Sequence, residues 1–302
     1  MGELNRSKQR QRSYCYQYIL CYLRYLLFKV NGDRFMLKTF QFLAAAVAVV
    51  VLLFSQARAQ DESELAKKTQ NPVADLISVP LQSNFNFGAG SKDKMIYILN
   101  VQPVIPIKIA DEWNMITRVV MPIVNQPSLF PGVDSATGLG DINPTFFFSP
   151  AKPSILIWGV GPTITIPTAS DRLLGSGKWS MGPAGVALTM QGPWVFGALM
   201  NNQWSVGGWG DKSVNALLMQ PFVNYNLPGG WYLTSSPILT ADWKADKAGD
   251  VWTVPLGAGV GKLLRVGTLP VNVQIGAYGN VAKPEFGPDW QLRFQIQFLF
   301  PK

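Results

Sequence analysis

Two glycine-rich stretches of the chain resemble phosphate-binding loops, but both are incomplete. Residues 175–178 read Gly-Ser-Gly-Lys. In a complete P-loop the first glycine would stand where Arg172 is, and a Ser or Thr would stand where Trp179 is. The second stretch, residues 257–262, also ends in lysine and is followed by Leu263. We therefore interpret these glycines as small strand residues and predict no nucleotide site.

Histidine is absent from all 302 residues, and the two cysteines, Cys15 and Cys21, lie near the start of the chain. This excludes His/Cys zinc sites, cysteine nucleophiles and Ser-His-Asp triads from the main body. Outer-membrane phospholipases, omptin-type proteases, palmitoyl-transferases and lipid A deacylases all rely on histidine. An unusual Ser–Lys or carboxylate mechanism stays open. We predict that the protein is not an enzyme and needs no cofactor or metal.

The polar residues that could act on a small molecule alternate with apolar ones along predicted strands. Three of the four charged residues in this set are basic, which predicts a mild anion preference or a basic ladder that positions a carboxylate or phenolate. The alternative is that Arg118 and Asp141, on neighbouring predicted strands, only pair with each other. The candidates for lining a lumen are Lys108, Arg118, Asp141, Asn143, Gln220, Asn224, Arg293, Gln295 and Gln297, with Asn84, Asn86, Gln102 and Gln274 on the same faces.

The elements that carry these residues read as β-strands. Beyond residue 70 the chain shows period-2 alternation rich in Val, Ile, Phe, Trp and Thr, punctuated by Gly and Pro. The predicted strands are 77–87, 95–109, 113–124, 140–148, 155–167, 179–190, 194–206, 215–227, 231–240, 251–263, 270–278 and 290–300. Long and short connections alternate between them. This pattern predicts an all-β fold, a transmembrane antiparallel up-and-down barrel of about twelve strands.

The two faces of the predicted strands differ in polarity. In the last strand, Trp, Leu, Phe and Ile alternate with Gln and Arg293. Because Arg or Lys facing lipid near the bilayer midplane costs about 2–4 kcal/mol, we place Arg118 and Arg293 in the lumen and the apolar set against lipid. Six tryptophans at or next to strand starts predict an aromatic girdle rather than a soluble core: Trp113, Trp179, Trp194, Trp231, Trp252 and Trp290.

The first 59 residues are predicted to serve in targeting the protein for export and not to form part of the folded domain. Residues 42–54 are an uncharged run of 13 that precedes an Ala-Arg-Ala pattern. Such a run is shorter than the roughly 30 Å hydrocarbon core, so residues 36–59 read as a signal peptide cleaved before Gln60. An uncleaved anchor is the alternative. We interpret residues 1–35 as a non-native or mis-called extension, and residues 60–76 as a periplasmic leader or a hatch in the lumen.

The formal net charge of +8 would by itself indicate an anionic partner such as nucleic acid. Seven of those eight excess positive charges fall before Gln60, so we predict no nucleic-acid partner. The charged fraction is only 15%, against about 25% in an average soluble domain. A surface that faces lipid explains the low fraction.

Several short motifs point to one family. They include Glu64–Pro72 with Ala74–Pro80, Gly138–Ile142, Phe147–Pro150 and Trp158–Pro162. With these motifs the chain resembles a bacterial outer-membrane group labelled neuromedin U, which is grouped with barrels of the phenol-degradation MetA-pathway type. The resemblance implies an outer-membrane channel or transporter and names no solute. The aromatic residues that close the last strand resemble the signal read by the barrel-assembly machinery.

Together these observations predict an outer-membrane channel for passive uptake of small molecules, with hydrophobic or aromatic compounds among the candidate solutes. The expected partners are outer-membrane lipid, the assembly machinery and a small-molecule solute. The alternative is a structural or surface-interaction barrel whose lumen is plugged. Conductance separates the two, because only the first carries ions or solutes.

Overall fold

The alternating segments form antiparallel strands in a computed structural model that describes residues 65–152 and 154–300. The predictions for the extension, the signal peptide and the cleavage before Gln60 lie outside the described residues. Where the chain is described, no helix has the length and apolar character needed to cross a membrane.

The described residues form fifteen strands in one sheet, and every pairing is antiparallel. The strands are β1 (Ile77–Ala89), β2 (Lys94–Val101), β3 (Val104–Lys108), β4 (Trp113–Gln126), β5 (Ala136–Leu139), β6 (Asn143–Pro150), β7 (Leu156–Thr165), β8 (Lys178–Gln191), β9 (Trp194–Gly208), β10 (Asn215–Asn226), β11 (Trp231–Ser235), β12 (Leu239–Asp242), β13 (Trp252–Val266), β14 (Leu269–Ala282) and β15 (Trp290–Phe300). Two single 3-10 turns, Pro228–Gly230 and Ala248–Asp250, lie in connections.

The sheet closes on itself into a barrel of twelve strands. In three places two consecutive short strands together take the place of one full-length strand. These pairs are β2 with β3, β5 with β6 and β11 with β12. The first strand pairs with the last over eleven residues, from Ile77 opposite Phe300 to Phe87 opposite Trp290. The ring is completed by β9 on β10, where Tyr225 lies opposite Trp194. The prediction of a twelve-stranded antiparallel barrel is confirmed.

Two of the three interrupted strands contain a proline at the break. Pro103 separates β2 from β3, and Pro237 separates β11 from β12. Proline has no N–H to donate, so the regular ladder is interrupted there, although the Gln102 N–H still donates to Pro80 and the Pro103 carbonyl still accepts from Val119. Between β5 and β6 the chain turns aside at Asp141, whose carboxylate is bonded to a loop instead. The sequence patterns predicted β2 with β3, and β11 with β12, as continuous strands, because side-chain alternation continues through such breaks. They placed the start of the third strand at residue 140 and missed β5.

The two ends of the barrel differ in their connections. The end named here the short-turn end carries the connections 109–112, 151–155, 192–193, 227–230 and 267–268, together with the first residue of β1 and the last of β15. The opposite, long-loop end carries 90–93, 127–135, 166–177, 209–214, 243–251 and 283–289. The first of these is only four residues, because β1 continues through a bulge to Ala89, opposite Lys94.

The outer surface is apolar, whereas the interior combines buried polar and charged side chains with apolar clusters. Outward side chains such as Leu256, Leu233 and Val160 are more than half exposed, whereas Arg293 and Asn84 are nearly fully buried. All ten tryptophans lie toward one end or the other. Near the short-turn end are Trp113, Trp158, Trp194 and Trp231, and near the long-loop end are Trp179, Trp204, Trp209, Trp243, Trp252 and Trp290. An apolar outer surface with tryptophans near both ends is the opposite of the outer surface of a soluble barrel.

Candidate functional site

The lumen contains a cavity of about 170 Å³. Its wall is formed by inward-facing residues of β1, β3, β4, β9, β10, β11, β14 and β15, and by residues 68–76 of the segment that precedes the barrel. Period-2 alternation places these side chains inside, because every second residue of each strand points to the lumen. The cavity therefore brings together residues from most of the wall.

One side of the cavity is a chain of polar hydrogen bonds that ends at Arg118. The Arg118 guanidinium donates from Nη2 to Oε1 of Gln102 over 2.6 Å. The Gln102 amide in turn donates to Gln82 over 2.9 Å, and Gln82 donates to Asn84 over 3.0 Å. Since the three amides are buried, these contacts fix the direction in which Gln102 presents its oxygen.

Arg293 lies on β15 and is held by its surroundings. Its Nη1 donates to the backbone oxygen of Ser236 over 2.7 Å, and its Nη2 donates to Gln291 over 2.9 Å. The guanidinium carbon lies 4.6 Å from the ring centre of Tyr278, a cation–π contact. Ser236 belongs to the interruption between β11 and β12, so Arg293 satisfies a carbonyl group that the ladder leaves unpaired.

A third polar group surrounds Tyr232. The Tyr232 hydroxyl donates to Asn272 over 2.9 Å, and Asn272 donates to Gln297 over 3.4 Å. All three residues are buried in the lumen wall. The tyrosine ring occupies the space beside Gly261, where any larger residue would overlap it. This explains a glycine at that position of β13.

The charges on the cavity wall have one sign. Lys68, Arg118 and Arg293 line it, and no Asp or Glu is found among the described residues of its lining. Buried charges are normally paired with an opposite charge or bonded by several polar groups. Here only neutral amides, hydroxyls and carbonyls are available, so the cavity has a positive electrostatic character.

The segment 65–76 enters the lumen at the short-turn end. Residues 65–69 are helical. Ala66 and Leu76 pack with Leu263 and Leu299, which face inward on β13 and β15. This contact explains why apolar residues occupy lumen-facing positions near that end.

Farther along the same segment, contacts with the opposite wall follow. Val73 is buried among inward residues that include Ile116, Phe147 and Leu188. The Gln70 amide donates to Asn226 over 2.9 Å, and Asn226 donates back to Gln70 over 3.1 Å. The segment thus spans the lumen and forms one wall of the cavity.

At the long-loop end the 166–177 loop is fastened to the wall by Asp141. The Asp141 carboxylate accepts hydrogen bonds from the backbone N–H of Ala169 over 3.2 Å and from both the N–H and the hydroxyl of Ser176, over 2.7 and 3.0 Å. Leu174 of the loop packs against Val124, which faces inward on β4. The loop therefore folds over the mouth of the lumen.

Beneath this loop lies a separate polar cluster, whose residues do not line the cavity. The Asn143 amide donates to Thr163, Thr165 and the backbone oxygen of Ile164. Thr165 also donates to Gln203 over 2.8 Å. These groups satisfy one another, so the cluster stabilises the wall formed by β6, β7 and β9.

The structure brings together six of the nine predicted lumen residues. Around the cavity lie Arg118, Gln220, Asn224, Arg293, Gln295 and Gln297. Asn143 faces the lumen but belongs to the cluster beneath the loop. Asp141 holds the loop and does not pair with Arg118, so the alternative in which these two charges only neutralise each other is wrong. Lys108 lies at the short-turn rim, mostly exposed and paired with Asp111 over 2.8 Å.

Sequence reasoning missed Lys68, Tyr232 and Asn272. Tyr232 and Thr234 alternate with the outward residues Trp231 and Leu233, so the pattern could have identified the tyrosine. Lys68 offered no such signal, because it lies outside the strands. In the part of the chain that the structure describes, no group of His, Cys, Asp or Glu side chains is arranged to hold a metal.

Comparisons with known proteins extend this description. No protein-family model matches the chain, and no curated protein sequence matches it. The fold resembles the crystal structure of the COG4313 outer membrane channel from Pseudomonas putida F1, with a TM-score of 0.55, 15% identity, and 74% of this chain and 94% of that chain covered. The NanC porin is matched with a TM-score of 0.48, 11% identity, and coverage of 74% and 100%.

Outer membrane phospholipase from Salmonella typhi is matched with a TM-score of 0.40, 13% identity, and coverage of 82% and 99%. At these identities the first match shows a shared barrel fold and no shared activity. The narrower neuromedin U label stays a prediction.

Proposed function

We propose that this protein spans the outer membrane of a Gram-negative cell and passes small molecules passively through its lumen. The observation that carries the proposal is the polarity of the barrel, apolar outside with tryptophans toward both ends and polar inside around a cavity. Such a surface is stable in lipid and unsuited to water. The structural match to a protein described as an outer membrane channel supports it.

The proposed orientation follows from the two ends. In barrels of this kind the short turns and both chain ends lie in the periplasm, and the longer loops face outward. The short-turn end would then be periplasmic, and segment 65–76 would enter the lumen from the periplasm as a hatch. The expected partners are outer-membrane lipid, the barrel-assembly machinery and the solute, with no nucleic acid and no cofactor.

A structural barrel with a plugged lumen is the second candidate, and one observation favours it. Segment 65–76 packs against both sides of the lumen, through Ala66 on one wall and Val73 on the other. If this packing never opened, the interior would carry no solute. Transport measurements on a reversibly locked hatch distinguish the two functions.

A disulfide between positions 73 and 159 provides the lock. A Cβ atom built at Gly159 lies 3.2 Å from a Cγ of Val73, which suits the bond, and the predicted mature chain has no other cysteine. We expect liposomes that contain the reduced Val73→Cys, Gly159→Cys variant to swell in glycerol and arabinose, and oxidation to slow the swelling. Wild-type protein under the same oxidant is the control. Swelling at the rate of empty liposomes in both redox states would favour the plugged barrel.

A further inference from the structure

We propose that the lumen cavity is a binding site for small organic carboxylates, with the carboxylate on Arg118 and an apolar body against Phe222, Leu199 and Val104. The inference deepens the proposed function, because it names the class of solute that the channel would hold. It rests on the proposed channel function only for the route by which the ligand enters the cavity. The site itself is argued from the contacts of the two interior arginines and from the opposite wall.

Arg118 is oriented and still has donors to offer. One of its N–H groups donates to Gln102, and its other donors have no partner among the described residues. Gln102 is itself fixed by its bond to Gln82, so the guanidinium plane is held by a buried network. A planar guanidinium with free donors matches the two oxygens of a carboxylate.

The charge balance of the cavity favours an anion. Arg293 is buried, Arg118 is partly buried and Lys68 is exposed; all three line the cavity, and none of its described lining residues is acidic. Burying positive charge without a counter-charge is costly, and a bound carboxylate would offset that cost. A neutral ligand of the same shape would leave the cost in place.

Arg293 is the weaker of the two arginines as a contact for a ligand. Ser236 and Gln291 occupy its terminal nitrogens, Tyr278 covers its face, and its Nε is buried without a partner. Arg293 also lines the cavity, but with both terminal nitrogens bonded and one face covered it has fewer donors to offer than Arg118. We therefore assign the carboxylate contact to Arg118.

Three apolar side chains on the cavity wall would contact the rest of the ligand. Val104 lies directly opposite Arg118 in the pairing of β3 with β4. Phe222 and Leu199 are buried in the core cluster and also line the cavity. A carboxylate bound here would have its body against these side chains, so we expect an acid with one small ring or a short chain.

Calorimetry on the purified full-length protein in detergent tests the proposal with benzoate and its neutral isostere benzamide. We expect benzoate to bind more tightly than benzamide. Arg118→Gln should weaken benzoate binding by at least about tenfold, since hydrogen bonds to a charged group contribute that much, and should leave benzamide unchanged. Lys108→Gln removes a positive charge outside the cavity and should change neither affinity.

An isosteric variant separates charge from folding. Gln295 lines the cavity, and Gln295→Glu adds a negative charge there with almost no change in shape. We expect it to abolish benzoate binding and to retain benzamide binding, with the heat-modifiable gel migration of a folded barrel. Equal affinities of wild type for the two probes, or benzoate binding that survives Arg118→Gln and Gln295→Glu, would overturn the proposal. Because binding is measured without a membrane, failed transport with intact binding would count only against the channel.

Discussion

The two ends of the lumen are closed by apolar packing and hydrogen bonds in different proportions. At the short-turn end, segment 65–76 is held mainly by apolar packing, with Val73 buried among side chains of the opposite wall. At the long-loop end, the 166–177 loop is held by three hydrogen bonds to Asp141, two of them exposed, and by the packing of Leu174 against Val124 and Ala136. Water competes for exposed hydrogen bonds but not for buried apolar contacts. The short-turn end is therefore the firmer closure, and the long-loop end the one that opens more readily.

The largest effect should come from Val73→Asp. A carboxylate at this position would be buried without a partner among apolar groups, which costs several kcal/mol, and the segment would leave the lumen. We expect a severalfold rise in single-channel conductance. Val73→Ala, which only shortens the side chain, should cost about 1–3 kcal/mol and give a smaller rise. Equal conductance in all three proteins would show that this segment does not obstruct the path.

A smaller effect is expected from Asp141→Asn. The amide keeps one acceptor oxygen but loses the charge that three donors share, and charge-assisted bonds contribute about 1.5–3 kcal/mol. The 166–177 loop should become more sensitive to protease, and the current through the open channel should fluctuate more. Unchanged proteolysis of this loop would contradict the role given to Asp141.

Gly175→Ala should reproduce that effect by a different route. A methyl group at Gly175 would overlap the Asp141 carboxylate and the Ala169 side chain, so the loop could not be fastened as it is. Gly249→Ala is the matched control, because a methyl group there contacts nothing within 4 Å. We expect proteolysis of the 166–177 loop to increase in Gly175→Ala and to stay at the wild-type rate in Gly249→Ala, with both variants measured side by side.

The smallest effect concerns the ion pair of Lys247 and Glu285, which joins two exposed loops over 2.8 Å. The hydrogen bond from Lys247 and the charge of Glu285 raise the pKa of Lys247 above its ordinary value. Because the pKa is raised, the pair contributes to the stability of the folded state at pH values below the ordinary lysine pKa. This contribution is lost as the pH rises through the raised pKa of Lys247. Glu285→Gln should leave the melting temperature unchanged at pH 7, because exposed pairs contribute little. A clear drop in melting temperature would show that these loops brace the barrel.

The sequence predicted the barrel more completely than its closures. Strands are repetitive and polar on one side, so Arg118 and Arg293 could be assigned to the lumen from the cost of placing them in lipid. The closures depend on contacts between distant parts of the chain. Nothing in the Asp141 neighbourhood shows that Ser176 will reach it, and nothing in residues 65–76 shows whether they enter the lumen or stay outside.

Lys108 illustrates the same limit inside the barrel. Alternation placed it correctly on the inward face, but alternation does not show how far along the barrel axis a residue lies. It lies at the rim, where Asp111 of the adjoining turn pairs with it. Depth along a strand becomes predictable only when the register with neighbouring strands is known, and register comes from the three-dimensional pairing.

Single-channel conductance of the full chain and of Val73→Asp in planar bilayers tests the central claim most directly. If the lumen is a path for solutes and segment 65–76 closes its short-turn end, the wild type should show small conductance steps and Val73→Asp clearly larger ones. If neither protein conducts while both migrate as folded barrels, the lumen is not a path, and the account of this protein as a channel is wrong.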